Sequence, residues 1–209
     1  MKNVAQVHTT ITKNVKHQIR KIKCGRVFTI NDIKVETSSR QTIQRCLSRM
    51  VEQGLLQRVQ TGIYYKPEIS KFLKGKQIPP DVNEVIRVIS IKNREIIQLH
   101  GGAAANRLGL STQVPMHRVF HTSGTTREME ISGTRVYFVH TNDAKLLQFS
   151  GTRAGLAISA MYYLGKNLVN NKVIDQIKSR LTEQEFKRLR KAHLVSWMQK
   201  ALQMAEDNI

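Results

Sequence analysis

The sequence predicts an α+β fold in two parts: an N-terminal module of helices closed by a β-hairpin, then a mixed α/β domain with a helical C-terminal end. Three observations carry this. Ile43, Cys46, Leu47, Met50 and Val51 repeat at helical spacing behind Ser38, a residue suited to capping a helix. From Leu55 to Lys66 two short apolar runs flank Gln60-Thr61-Gly62, where glycine can supply the positive φ of a hairpin turn. The chain then runs on to residue 209, long enough for a second core.

Upstream, Ile11, Val15, Ile19 and Ile22 form the stripe of a supporting helix. The β-prone Val27-Phe28-Thr29 leads into Asn31 and Asp32, which favour a helix start, so a short first helix is expected over Ile30 to Lys34. The next helix sets Ser39, Arg40, Gln41, Gln44, Arg45 and Arg49 opposite its apolar face, and such side chains bond to phosphates and base edges. Gly54 ends that helix as a left-handed cap. The hairpin is expected to place Arg58 and Gln60 near its tip. Helix, short strand, helix, turn, helix and hairpin is the succession of a winged helix-turn-helix. Residues 1–70 are therefore read as a DNA-binding domain that makes its contacts through the residues just named.

The formal net charge is +19. Residues 1–76 hold 16 Lys and Arg against 4 Asp and Glu, residues 77–150 hold 8 against 6, and residues 151–209 hold 10 against 5. The excess sits mainly on the segment with the motif, where it attracts polyanions. No apolar run reaches the roughly 18 residues that a membrane span needs. The N-terminal stretch lacks the apolar centre of a signal peptide, so a cytoplasmic protein with no membrane partner is expected. Cys24 and Cys46 match no metal or redox spacing and read as reduced thiols.

A linker is expected over about residues 71–80, where Lys71, Lys74, Gly75, Lys76, Pro79 and Pro80 collect, with residues 81–209 as the second domain. Val82, Val85, Ile86 and Ile89 mark a helix, and Glu95 to Leu99 a strand. Gly102 to Leu108 is an alanine-rich helix, followed by a strand at His117 to His121. Met129-Ile131 and Val136-Phe138 flank Ser132-Gly133-Thr134 as a hairpin. Helical stripes follow at Leu156, Ala160, Met161 and Leu164 and at Val169, Val173, Ile177 and Leu181. Thr182 and Glu185 form a capping box, and a last helix carries Leu194, Met198, Leu202 and Ala205.

Gly101 and Gly102 suit a tight strand-to-helix turn, and Ala103 to Ala105 suit close packing of that helix on the sheet. Asn106, Arg107, Ser111, Thr112 and Gln113 read either as a partner or ligand site at the sheet end or as turn and cap residues. His117 and His121 would share a strand face near His100 and His140, but no Cys/His cluster or H-E-x-x-H occurs, and no metal is expected. G-x-G-x-x-G, the Walker pattern and G-x-S-x-G are all missing. The aspartates, Asp32, Asp81, Asp143, Asp175 and Asp207, stand too far apart in sequence to suggest two-metal chemistry. No catalytic residue and no cofactor are expected. The basic cluster Lys187, Arg188, Arg190 and Lys191 reads as a solvated face or as a contact for DNA or an acidic partner.

The segment His100 to Pro115, reading HGGAAANRLGLSTQVP, follows a hairpin that closes with Gly62-Ile63-Tyr64-Tyr65-Lys66-Pro67. Together they resemble the bacterial AbiEi-type antitoxins of type IV toxin-antitoxin systems and their free-standing relatives, over roughly residues 10–150. The resemblance implies an N-terminal winged helix that binds inverted repeats in its own promoter and represses its operon. It also implies a C-terminal domain that counters a nucleotidyltransferase-like toxin, with no cofactor. DNA reading would fall on Ser39, Arg40, Gln41, Gln44 and Arg45, with Arg58 on the wing. The alternative is a stand-alone regulator, or a winged helix that contacts RNA or protein without a toxin partner.

Overall fold

The computed structural model describes residues 2–35, 39–72 and 75–204, with side chains from Ile11 onward. The chain is mixed α+β and divides into two compact units, Met1–Asn93 and Arg94–Ile209.

The N-terminal unit opens with α1 (Lys2–Lys21), whose Ile11, Val15 and Ile19 share a buried core with Ile43, Cys46, Leu47 and Met50 of α2 (Arg40–Glu52). Between them lie β1 (Val27–Thr29) and a single 3₁₀ turn at Ile30–Asp32. This turn stands where a first helix over Ile30 to Lys34 was expected. Thr29 caps it, and Asp32 accepts from the Thr29 N–H at 2.6 Å. The turn then stops because Ile33 is extended, and β-branched Ile33 and Val35 pack into the core instead of prolonging the helix. Ser38, expected to cap α2, lies outside the described residues. The cap is Ser39, whose hydroxyl accepts from the Thr42 N–H at 3.2 Å. Gly54, at φ +71°, turns the chain out of the helix.

β2 (Gln57–Gln60) and β3 (Ile63–Tyr65) form the expected hairpin, and β3 also pairs with β1 in an antiparallel sheet of order β1-β3-β2. Lys66 then clasps the end of α1: its Nζ donates to the carbonyls of Ile19 and Ile22 at 3.0 and 2.6 Å, a cation at the end of the helix where carbonyls gather. The expected linker is partly ordered, because β4 (Glu68–Ile69) pairs with β5 (Gln77–Ile78). The Tyr65 hydroxyl donates to the Ile78 carbonyl at 2.8 Å, fixing this small hairpin to β3. The structure groups α3 (Val82–Asn93), which the sequence reading places in the second domain, with the N-terminal unit. Glu84 accepts from the Val27 N–H at 3.4 Å and faces Arg26 at 3.6 Å, docking α3 on β1. Pro79 and Pro80 thus precede α3 without marking the division between units.

The C-terminal unit is built on a four-stranded sheet of order β6-β7-β9-β8. Its strands are β6 (Ile97–Leu99), β7 (Arg118–Thr122), β8 (Arg127–Ile131) and β9 (Thr134–His140); β7 and β9 run parallel and the other pairs antiparallel. Ser132 and Gly133, both at positive φ, make the two-residue turn between β8 and β9. α4 (Gly101–Arg107) packs mainly on α5 (Arg153–Leu164), not on the sheet as expected. A Cβ on Gly101 would stand 2.3 Å from Tyr163 Cβ and 2.5 Å from the Ser159 carbonyl oxygen. Neither Gly101 nor Gly102 has positive φ, so Gly101 supplies space and not a special turn.

Buried Gln98 donates to the Gly155 carbonyl, and the Ser159 hydroxyl donates to the Leu99 carbonyl at 2.6 Å, bonding α5 to β6. α6 (Asn171–Arg180), α7 (Glu183–Arg190) and α8 (Ser196–Met204) complete the unit. Thr182 and Glu185 form the expected capping box, Leu194 lies before α8, and Ala205 is outside the described residues. No helix among the described residues is long and apolar enough to cross a membrane.

Candidate nucleic-acid interface

Because α2 buries Ile43, Cys46, Leu47 and Met50, helical periodicity turns Arg40, Gln41, Gln44, Arg45 and Arg49 outward, and all five are exposed. Gln41, Gln44, Arg45, Ser48, Arg49 and Glu52 line one shallow groove along the helix. It presents guanidinium and amide donors over its first turns, and Glu52 ends the run with a charge that phosphate repels. Ser39 stands at the same end of the helix, but its hydroxyl is engaged by Thr42, bonding to that side chain at 2.9 Å as well as to the backbone. Its role here is to cap the helix.

Arg58 is not at the hairpin tip. It lies within β2, its Nη2 donates to Ser48 Oγ on α2 at 2.7 Å, and its guanidinium sits 5.9 Å from the Tyr64 ring centre. The strand thereby brings Arg58 to the α2 groove. Gln60 pairs with Ile63 and so flanks the tip as expected, but it is half-buried and its Oε1 is buried with no hydrogen-bond partner among the described residues. Thr61 and Gly62 make the tip, and Lys92 of α3 donates from Nζ to the Thr61 carbonyl. Burial first, and then the Arg40 charge, hold the Lys92 ammonium below the usual lysine range. Arg40 at the start of α2 and Lys92 at the hairpin therefore share one positive field. Nothing in the sequence pointed to Lys92, a single lysine near the end of an apolar helix and 31 residues beyond its partner.

In the C-terminal unit, Asn106, Arg107, Ser111, Thr112 and Gln113 gather at the end of α4 and in the loop after it. Asn106 Nδ2 donates to the Ser111 carbonyl and the Gln113 N–H donates to Ser111 Oγ, both at 3.2 Å, closing the loop on itself. Arg107, Thr112 and Gln113 are exposed. The expected grouping of histidines is different in detail. His100 and His121 have ring centres 4.9 Å apart with Tyr163 beside His100, whereas His117 lies against Tyr137 and His140 bonds to Asn142. Burial pushes both His100 and His121 below the ordinary imidazole range. Among the described residues no three His, Cys, Asp or Glu side chains gather as metal ligands. Cys24 is exposed and Cys46 buried, and both are free thiols.

No curated protein and no solved structure matches this chain. Residues 14–189 match a family of unknown function (DUF6088), a span that takes in both the α2 groove and the sheet of the C-terminal unit, and the chain belongs to that family.

Proposed function

We propose that residues 1–70 form a winged helix-turn-helix that binds duplex DNA, with α2 as recognition helix and the β2–β3 hairpin as wing. In this reading the protein is a transcriptional repressor acting on inverted repeats in its own promoter. The observation that carries it is the exposed row Arg40, Gln41, Gln44, Arg45 and Arg49 on a helix whose opposite face is buried in the core. A helix seated in the major groove presents such a row to base edges and phosphates. The positive field of Arg40 and Lys92, and the +12 balance of residues 1–76, add sequence-independent attraction to phosphate. The likeness of His100 to Pro115 to AbiEi-type antitoxins extends the proposal to neutralisation of a nucleotidyltransferase-like toxin. DNA binding is argued from the residues, and the antitoxin role from that likeness.

Titration of the chain with its own promoter fragment and with a scrambled duplex tests the proposal. Arg40→Ala, Gln44→Ala or Arg45→Ala should weaken specific binding by roughly 1–3 kcal/mol wherever the side chain reads a base. Unchanged promoter affinity in all three variants would remove α2 from the reading role. Tighter binding to A-form or single-stranded RNA than to any promoter duplex would replace DNA by RNA as the partner.

A further inference from the structure

The last helix, α8, carries two apolar stripes. Met198 and Leu202 point into the core of the C-terminal unit. Trp197, Ala201 and Met204, spaced by four and three, form a second stripe along a groove of about 750 Å³ that opens to solvent opposite Val169 and the start of α6. Met204 is 61 % exposed. Lys166, Lys172 and Lys200 stand around this apolar floor, and among the described residues no carboxylate lines it.

We infer that this groove docks an acidic amphipathic helix of a partner protein. A stripe at i, i+4 and i+7 is complementary to the apolar face of another helix. Tryptophan and methionine are the side chains that anchor such contacts and adapt to them. The lysine rim then selects a partner with carboxylates flanking its apolar stripe. A nucleic-acid strand would ask for a series of stacking rings, and here one tryptophan is set among Val169, Ala201 and Met204. This inference is independent of the DNA-binding reading, which concerns the other unit.

Trp197 is the only tryptophan of the chain, so its fluorescence reports on the groove alone. The full chain is titrated with a synthetic helical peptide bearing leucines at spacings of four and three with glutamates on either side. A saturable blue shift is expected. Lys172→Glu and Lys200→Glu should each weaken binding by roughly threefold or more, and added salt should weaken it in the parent. Both lysines are exposed, and an unchanged circular dichroism spectrum separates lost docking from lost folding. Equal binding by a lysine-flanked peptide with the same leucines, or no saturable shift, would overturn the inference. So would a single-stranded oligodeoxynucleotide that shifts Trp197 at lower concentration than the acidic peptide.

Discussion

Arg58 on β2 donates from Nη2 to Ser48 Oγ on α2 at 2.7 Å, so the hairpin and the helix proposed to read DNA are held as one surface. Arg58 is exposed, which places the bond near the low end of its class. Arg58→Ala and Ser48→Ala should therefore show a coupling of roughly 0.5 kcal/mol in a double-mutant cycle followed by urea unfolding. Additive losses would mean that Arg58 does not brace the hairpin. Loss of DNA affinity in Arg58→Ala without any loss in Ser48→Ala would then make it a phosphate contact only.

Gly101 and Gly102 lie side by side in sequence but differ in what surrounds them. A methyl at Gly101 meets Tyr163 Cβ and the Ser159 carbonyl, neither of which is the free end of a flexible side chain; at Gly102 the nearest atom is the Tyr163 ring at 3.4 Å. Gly101→Ala should cost about 2–3 kcal/mol by forcing α4 from α5, and Gly102→Ala under about 1 kcal/mol. Thermal unfolding of the two variants checks the difference. Equal melting temperatures would mean that the glycine pair serves something other than this helix contact.

What the sequence made legible was periodic or local. The buried face of α2, the hairpin about Gly62, the Ser132-Gly133 turn and the Thr182–Glu185 box are all written within a few residues of where they act. Contacts that join distant segments were not legible. Lys66 closing α1, Lys92 reaching Thr61 and Arg58 turning back to Ser48 depend on packing that places separate elements together, and no local pattern encodes them. The same holds for α3, whose apolar stripe was plain but whose partner was not, since periodicity gives a buried face and does not say what buries it. At the candidate site the outward row of α2 was readable, whereas the setback of Arg58 from the hairpin tip and the burial of the Gln60 Oε1 were not.

Arg127 and Glu95 form an ion pair at 2.7 Å with side chains 22 % and 12 % exposed, and Thr122 donates its hydroxyl to the same Glu95 oxygen at 2.9 Å. The Arg127 guanidinium also lies 4.5 Å from the centre of the Phe138 ring. Removing one partner leaves a largely buried charge beside an apolar ring. Glu95→Gln should cost roughly 2–3 kcal/mol, discounted from a fully buried pair for the residual exposure of Arg127. The double variant Glu95→Gln with Arg127→Met should recover part of that loss in urea unfolding. A double variant as unstable as the sum of the singles would mean that the pair is not coupled.

His100 and His121 bring a pH dependence whose sign follows from their surroundings. His100 Nδ1 accepts from the Gly102 N–H at 3.3 Å and so caps α4 in its neutral form. His121 Nδ1 is buried with no hydrogen-bond partner among the described residues. Burial lowers both folded-state pKa values, and the neighbouring His100 charge lowers that of His121 further. An unfolded histidine titrates near about 6.5, so below that pH the unfolded chain binds more protons than the folded one. The stability these two groups contribute is thus complete above about pH 6.5 and is lost as pH falls towards the depressed folded values. Urea unfolding between about pH 5 and 7.5 should give a stability that rises with pH more steeply in the parent than in His121→Gln or His100→Asn, the asparagine keeping a residue able to cap α4. If both variants follow the parent's slope, protonation of the pair is not opposed by the fold, and the dependence does not arise from these two groups.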